Sequence, residues 1–217
     1  MGHLRRVDAA TVRQWFEGSA AALHQQRDYL TQLDAAIGDA DHGTNMDRGF
    51  ASVVAKLEEL DGATPPGKTL VLAGSTLVST VGGASGPLWG TALRRAGRSM
   101  GEGETFDGAA LALALEAALE GVVELGAAQP GDKTMVDALE PAVRVLRERV
   151  DSGSTVGQAV TAAREAAEEG MQATVPLQAS KGRASYLGER SIGHQDPGAT
   201  STVFILRALE QAVAERP

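Results

Sequence analysis

The sequence has 217 residues, of which 43% are hydrophobic and only 4% aromatic, and it contains no cysteine. Its formal net charge is −8 and its isoelectric point is about 5.0, which argues against nucleic-acid binding because like charges repel a phosphate backbone. The lack of cysteine excludes disulfide scaffolds, thiolate metal sites and thiol nucleophiles. No apolar run approaches the roughly 20 residues that a membrane span needs, so we expect a cytoplasmic protein without a membrane span.

Helical periodicity runs through almost the whole chain. A core rich in alanine and leucine but poor in aromatic residues favours closely packed helices over strands. We predict eight helices, in chain order, over residues 9–37, 45–60, 69–81, 86–99, 106–125, 134–150, 155–170 and 197–213. No segment alternates apolar and polar residues over the length of a strand, so the expected fold is all-α, with little or no sheet. We expect a single domain over residues 1–217, with residues 1–7 frayed.

The connections between the predicted helices are of two kinds. Those after the second, fourth and sixth helices have the composition of solvated turns: residues 61–67, 100–105 and 151–154. Those after the first, third, fifth and seventh helices hold the unusual residues: 38–44, 82–87, 126–133 and 171–196. Short loops make consecutive helices antiparallel neighbours, so in an up-and-down arrangement the second group lies at one end. We therefore predict one functional site at that end.

The segment from Leu33 to Asn45 carries three carboxylates, Asp34, Asp39 and Asp41. Asp39 and Asp41 are two residues apart, so in extended backbone they face the same side. Magnesium takes carboxylate and phosphate oxygens, and two ions bridged by these carboxylates and a polyphosphate would neutralise charge during phosphoryl transfer. The alternative is that Asp39 and Asp41 are turn or N-cap residues. Asp34 and the helix-opening His-Gly-Thr-Asn favour the metal–phosphate site.

Two shorter motifs open later helices. Gly-Gly-Ala-Ser-Gly-Pro, residues 82–87, lets backbone approach a ligand and offers free N–H groups to phosphate, although close helix packing explains it equally well. In Gly-Asp-Lys-Thr-Met, residues 131–135, Asp132 is a candidate N-cap. Lys133 fits phosphate binding or, more commonly for a single lysine, a solvated position. Met135 fits an adenine pocket or, more commonly, the helical core.

Residues 171–196 form a connection of a length that is usually either functional or disordered. Its arginine, tyrosine, histidine and glycine content argues against disorder. Arg183 is suited to clamp a phosphate through two N–H donors. Asp196 followed by Pro197 predicts an N-cap and the first turn of the last helix. The alternative is a structured lid whose polar residues only cap helices.

Four motifs resemble, in order and spacing, those of the DhaL family, the nucleotide-binding subunits of dihydroxyacetone kinases. They are residues 38–45 (Gly-Asp-Ala-Asp-His-Gly-Thr-Asn), 82–87, 131–135 and 193–199 (Gly-His-Gln-Asp-Pro-Gly-Ala). The resemblance covers essentially the whole chain, and it implies an eight-helix antiparallel up-and-down barrel with the nucleotide at one end. One departure is Ala40, where the family often has glycine, so this position must have a backbone angle that alanine tolerates.

The resemblance also implies the residues of the site, without assigning any side chain as catalytic. Asp34, Asp39 and Asp41 would hold two magnesium ions. The phosphates of ADP or ATP would be contacted by His42, Gly43, Thr44, Asn45, Ala84 and Ser85. The base would lie beside Gly126 and Met135. The remaining edge of the nucleotide site would be formed by Arg183, Asp196, Pro197 and Gly198.

The activity implied is that of a kinase subunit that transfers a phosphoryl group to dihydroxyacetone held by a separate ketone-binding subunit. A protein of the sugar phosphotransferase system would then rephosphorylate the bound ADP. Two alternatives stay open: an ATP-dependent kinase for another small ketose such as erythrulose, and a module that holds nucleotide without catalysis. The sequence leaves the oligomeric state open, a homodimer included, and does not decide whether residues 1–4 are a cloning remnant.

Overall fold

The computed structural model describes residues 6–214, which are almost entirely helical. The α-helices of this part of the chain are α1 Ala9–Gln25, α2 Arg27–Ile37, α3 His42–Glu58, α4 Pro66–Thr80, α5 Ser85–Met100, α6 Gly108–Gly126, α7 Val136–Asp151, α8 Val156–Ala173 and α9 Pro197–Ala214. A 3₁₀ helix, Arg183–Ser191, lies between α8 and α9. The all-α prediction is confirmed. Within the same residues, no helix is both long and apolar enough to cross a membrane.

A two-stranded sheet ties the beginning of the described chain to the middle. Strand β1 (Val7–Asp8) pairs antiparallel with β2 (Thr105–Phe106), and Val7 lies opposite Phe106. Val7 is only 2% exposed and belongs to the hydrophobic core. The expectation that residues 1–7 are frayed is therefore wrong at Val7, because pairing and burial hold it in place. Residues 1–5 lie outside the described part.

The prediction of one helix over residues 9–37 is wrong, because the chain turns at Gln26 between α1 and α2. Gln26 has φ −99° and ψ 10°, and its N–H still donates to the carbonyl oxygen of Ala22 at 2.9 Å. Helix α1 packs on α3, α4 and α9, whereas α2 packs on α3, α9 and the 3₁₀ helix. The turn thus directs α2 towards the connection between α8 and α9. No glycine or proline marks this point in the sequence, so it carries no breaker signal.

The helices close into a barrel. From α3 onwards each helix packs against the next one up to α9, and α1 packs against both α3 and α9. The interior is filled mainly by alanine, leucine and valine side chains, as the composition predicts. Helices α4 and α5 approach closely because glycines face the neighbouring backbone: a Cβ on Gly74 would lie 2.6 Å from the carbonyl oxygen of Gly90. This close packing brings the helix ends, and the loops between them, together.

Candidate functional site

A cleft of about 770 Å³ opens at one end of the barrel. Its walls come from the connections α2–α3, α4–α5, α6–α7 and α8–α9 and from helix turns that flank them. Among the described residues, none from the turns after α3, α5 or α7 lines this cleft. The four chemically rich loops therefore meet at one end of the barrel, as expected, and the assignment of this cleft as the functional site stays a prediction.

Three carboxylates converge at the cleft. Asp34, Asp39 and Asp41 each offer one oxygen, and these oxygens all lie within 4.8 Å of one another. The convergence does not use the extended backbone that the spacing suggested, because Ala40 has φ 62°. This left-handed conformation costs a non-glycine residue roughly 1–2 kcal/mol. Glycine adopts this conformation without that cost, which explains why glycine is frequent at this position in the DhaL family that the sequence resembles.

Asp34 has a second task in the fold. Its Oδ2 accepts the backbone N–H of Asp41 at 2.8 Å and of His42 at 3.0 Å, so it satisfies free donors at the start of α3 from another helix. Asp41 occupies the N-cap position, but its own side chain makes no capping hydrogen bond. A Cβ on Gly38 would lie 2.0 Å from Oδ1 of Asp34, so glycine is needed beside this carboxylate. The capping alternative therefore does not account for the Asp41 side chain.

The donor set at this point fits a hard divalent cation. Three carboxylates are grouped with one guanidinium, since Nε of Arg183 lies 2.9 Å from Oδ2 of Asp39. Grouped like charges repel unless a cation compensates them. Magnesium is bound in proteins by one or two carboxylates together with phosphate oxygens and water. The residues present therefore fit magnesium, as the sequence predicts.

His42 joins three helices beneath the cleft. Its Nε2 shares a hydrogen bond with Oγ of Ser201 on α9 at 2.9 Å, and its Nδ1 shares one with Oγ of Ser85 on α5 at 3.2 Å. Burial lowers the pKa of His42 below its usual value, although Asp34 and Asp41 act in the opposite direction. A neutral imidazole bonded on both sides fixes the first turn of α3 relative to α5 and α9.

Four helices begin at the cleft. The first residues of α3, α5, α7 and α9 all line it: His42, Ser85, Val136 and Pro197. Helix N-termini present free N–H groups and a partial positive charge, which attract phosphate. Gly83, just before α5, has φ 66°, a conformation that glycine adopts without strain. The cleft thus brings three carboxylates together with the starts of four helices.

Asp196 caps α9, as predicted. Its Oδ2 accepts the N–H of Ala199 at 2.7 Å. Burial raises the pKa of Asp196 to about 7; Asp137 adds to this, while the Ala199 hydrogen bond and Lys133 oppose it. The carboxyl group of Asp196 therefore serves the start of α9.

Most of the residues expected at the site line the cleft: Asp34, Asp39, Asp41, His42, Asn45, Ala84, Ser85, Gly126, Met135, Arg183, Asp196, Pro197 and Gly198. Gly43 and Thr44 are not among the lining residues. Gly43 is buried against α2, where a Cβ would lie 2.0 Å from the carbonyl oxygen of Arg27, and Thr44 is exposed. Any contact of these two with phosphate stays a prediction.

The N-cap role expected for Asp132 is wrong. Its carboxylate instead accepts the N–H of Gln129 at 2.8 Å and the hydroxyl of Ser180. Helix α7 begins at Val136, too far along the chain for Asp132 to cap it. The carboxylate that organises this turn is Asp137, which accepts the N–H of Gly131 at 2.6 Å and of Thr134 at 2.7 Å.

The expectation that Lys133 is solvated is also wrong, because its side chain is only 1% exposed. Its ammonium donates to the carbonyl oxygens of Thr174 and His194. Lys133 has φ 63°, so the residue turns inward from a left-handed backbone. A lysine that is buried through hydrogen bonds to distant carbonyls leaves no signal in the local sequence.

Some lining residues lie outside the sequence motifs. Leu88 and Val122 contribute apolar walls, and a signal existed for both, since each lies one helical turn from a motif residue. Lys181 and Tyr186 line the mouth, and Tyr186 is 87% exposed. These two belong to the long connection, and no helical spacing indicated which of its residues would face the cleft.

Comparisons with known proteins identify the family of the chain and related structures. The DAK2 domain matches residues 36–211 of the chain. The chain belongs to the DAK2 domain family. It is 45% identical over 201 residues to "PEP-dependent dihydroxyacetone kinase, ADP-binding subunit DhaL" of Escherichia coli, a match that covers 93% of this chain and 95% of that protein. It is 37% identical to the PTS-dependent ADP-binding subunit DhaL of Lactococcus lactis, with 94% and 97% covered.

Other DAK2 relatives are much longer proteins. An L-erythrulose 1-kinase of Mycolicibacterium smegmatis is 39% identical, and the match covers 83% of this chain but 31% of that protein. The crystal structure of the dihydroxyacetone kinase from C. freundii in complex with AMP-PNP and Mg2+ superposes with a TM-score of 0.71 and 25% identity. That match covers 97% of this chain and 36% of the other. The DAK2 fold is therefore shared between separate subunits and longer kinases.

Proposed function

We propose that this protein is the nucleotide-binding subunit of a dihydroxyacetone kinase. It holds ADP or ATP in the cleft and passes the terminal phosphoryl group to dihydroxyacetone on a separate ketone-binding subunit. The observation that carries the proposal is the meeting of three carboxylates and four helix N-termini in one cleft. A metal–nucleotide complex presents the two charges that these groups attract. The 45% identity to an ADP-binding subunit supports the same assignment.

The metal part of the proposal assigns Asp34, Asp39 and Asp41 as ligands of two magnesium ions. Bound magnesium neutralises phosphate charge that develops during phosphoryl transfer. The complex of the C. freundii kinase with AMP-PNP and Mg2+ supports magnesium together with nucleotide. Arg183, whose Nε lies 2.9 Å from Oδ2 of Asp39, supplies a guanidinium to the phosphates as a bidentate donor.

The nucleotide part of the proposal follows the walls of the cleft. The starts of α3 and α5 bind the phosphates through backbone N–H groups and polar side chains: His42, Gly43, Thr44, Asn45, Ala84 and Ser85. The apolar side of the cleft holds the base: Gly126 and Met135, with Leu88 and Val122 beside them. The start of α9 completes the site: Asp196, Pro197 and Gly198. Rigid helix starts position these groups before the nucleotide arrives, which reduces the entropic cost of transfer.

The phosphoryl donor proposed is a protein of the phosphotransferase system that recharges bound ADP. Two relatives that match over almost their full length are named as PEP-dependent and PTS-dependent ADP-binding subunits. An ATP-dependent kinase acting on an erythrulose-like ketose is the second candidate, because erythrulose kinases are 35–39% identical to this chain. The two candidates differ in whether the nucleotide exchanges with free ATP during turnover.

Two measurements test the proposal. Mass spectrometry of nucleotide released from the purified protein should find retained ADP. Labelled ATP, magnesium and dihydroxyacetone should yield labelled sugar phosphate only when a ketone-binding subunit is added, since a small triose needs a dedicated site for orientation. Turnover on the order of 1–100 s⁻¹ without that subunit would contradict the two-component assignment. Erythrulose in place of dihydroxyacetone tests the second candidate in the same assay.

A further inference from the structure

The connection between α8 and α9 contains a segment whose two ends meet. We call residues 175–193 the flap. Its ends are joined by the N–H of Gly193, which donates to the carbonyl oxygen of Val175 at 2.8 Å. Just outside these ends, the N–H of Asp196 donates to Oγ1 of Thr174 at 3.0 Å. The flap therefore leaves and rejoins the barrel at one narrow neck, beside the start of α9.

The flap has little apolar packing of its own. Its buried apolar residues, Ala179 and Ala184, form a small cluster with Ile37 that is separate from the main core. The other ties to the barrel are polar: Ser180 bonds Asp132, and Arg183 pairs with Asp39. Segments with few buried apolar contacts open locally at low free-energy cost. The position of the flap over the cleft therefore depends on its polar anchors.

Lys133 provides the anchor at the neck. Its ammonium donates to the carbonyl oxygen of Thr174 at 2.5 Å, to that of Val175 at 3.5 Å and, at short range, to that of His194. An ammonium group has three donors, and all three are directed to neck carbonyls. Thr174 caps the C-terminal end of α8, where a cation is favourable. Lys133 thus joins the end of α8, both sides of the neck and the segment that precedes Asp196.

The hydrogen bonds of Lys133 offset two unfavourable features of its position. Burial lowers the pKa of Lys133, while the nearby carboxyl groups of Asp196 and Asp137 raise it. The residue also holds a left-handed backbone, φ 63°, which a non-glycine residue adopts only where its surroundings impose it. Charge-assisted hydrogen bonds to carbonyls are among the strong ones in proteins, so they offset both costs.

We propose that Lys133 is a positioning residue that closes the neck of the flap and sets the start of α9, and that it does not bind phosphate. The proposal rests on the nucleotide site proposed above. It separates two roles that a lysine in a kinase cleft could have, because a lysine whose donors all point to protein carbonyls has none left for a nucleotide. Nucleotide retention then depends on Lys133 indirectly, through Arg183 and the start of α9.

The first test uses Lys133→Met, which keeps an unbranched and slightly shorter apolar side chain but removes the charge. Trypsin cleavage after Lys181, Arg183 and Arg190, followed by mass spectrometry without nucleotide, should be at least about tenfold faster than in the unsubstituted protein. The affinity for ADP should fall while kcat at saturating nucleotide stays within a few fold. Lys68→Met, an exposed lysine paired with Glu102, is the matched control and should change neither. Unchanged flap cleavage, or a loss confined to kcat, would overturn the proposal.

A second test needs no substitution, so it remains decisive if Lys133→Met does not fold. The chain has four lysines, and acetylation of each can be followed by mass spectrometry with and without ADP and magnesium. Lys133 should react at least about tenfold more slowly than exposed Lys56 and Lys68 under both conditions. Lys181, which lines the cleft, should be protected only by nucleotide. Fast labelling of Lys133 without nucleotide would contradict the closed neck. Lack of protection at Lys181, with Lys133 still slow, would count against the nucleotide site alone.

Discussion

The three carboxylates of the cleft have different surroundings, so substitutions at them have different consequences. Asp34 is buried and accepts two backbone N–H groups at the start of α3. Asp39 is exposed and pairs only with exposed Arg183 among the interactions found for it. Replacing Asp34 therefore removes a structural hydrogen-bond acceptor together with a cation ligand, whereas replacing Asp39 tests the ligand role with little effect on folding.

Asp39→Asn should lower the rate of phosphoryl transfer by at least about 100-fold, because loss of a carboxylate leaves the metal and phosphate charges uncompensated. Its melting temperature without nucleotide should stay close to that of the unsubstituted protein. Asp28→Asn on α2, at another exposed aspartate paired with an arginine, is the control and should retain full activity. Near-normal transfer by Asp39→Asn at saturating magnesium would show that Asp39 is not a ligand.

Asp196 should give the stability of the protein a specific pH dependence. Its pKa is about 7 in the folded state, against roughly 3.9 in an unfolded chain. Between these values the folded state keeps a proton that the unfolded state has lost, so this group's contribution to the free energy of unfolding falls as pH rises. The slope is at most about 1.4 kcal/mol per pH unit.

Asp196→Asn keeps an oxygen to accept the Ala199 N–H but cannot ionise. Denaturant unfolding of nucleotide-free protein at pH 5 and pH 7 should show the substituted protein gaining stability relative to the original as pH rises. Comparing the two proteins at each pH cancels the contribution of all other titrating groups. An equal difference at both pH values would mean that Asp196 is ionised throughout this range.

At the scale of elements, the site depends on how closely α3 approaches α2. A Cβ on Gly43 would lie 2.0 Å from the carbonyl oxygen of Arg27 and 2.9 Å from the N of Thr31. Both are backbone atoms, which cannot move aside without shifting α2. The same contact keeps Asp34, on α2, within hydrogen-bond reach of the first turn of α3. Gly43 thus acts through helix packing, whatever its backbone contributes to phosphate binding.

Gly43→Ala should therefore destabilise the protein by about 1–3 kcal/mol, the usual cost of overpacking, and should weaken magnesium-dependent nucleotide binding. Gly157→Ala is the matched control, because Gly157 also lies in the first turn of a helix but has open space around a built Cβ. That substitution should stabilise the protein by about 0.5–1 kcal/mol. Denaturant unfolding of both variants measures the contrast, and equal effects would refute the packing argument.

At the scale of the whole molecule, the cleft joins four segments that are distant in sequence. A ligand that contacts all of them binds the folded chain only, so it stabilises the fold by mass action. ADP with magnesium at 100 times its Kd should raise the free energy of unfolding by about 2.7 kcal/mol and raise the melting temperature. ADP with a chelator in place of magnesium is the control. Equal stabilisation with and without magnesium would mean that nucleotide binding does not depend on a metal ion held by the carboxylates.

The sequence was sufficient for the class of fold and for the end of the barrel at which the candidate cleft lies. Helical periodicity and an aromatic-poor core predicted the helices, because the helix repeat places apolar residues on one face whatever the neighbours are. The alternation of plain and rich loops predicted one functional end, since antiparallel neighbours bring every second loop together. Asp34, Asp39 and Asp41 were found as a group because carboxylates so close in the chain stay close in space.

Only the tertiary structure decided the features that depend on contacts between distant segments. The turn at Gln26 is set by what α1 and α2 pack against, and no local residue marks it. Lys133 is buried because its ammonium group meets the carbonyl oxygens of Thr174 and His194. These two residues lie 41 and 61 positions further along the chain. Asp132 likewise bonds the hydroxyl of Ser180, 48 positions along the chain, instead of capping α7. Local periodicity fixes which residues are helical and which loops share an end, whereas hydrogen bonding of buried polar groups is decided by partners that only folding brings near.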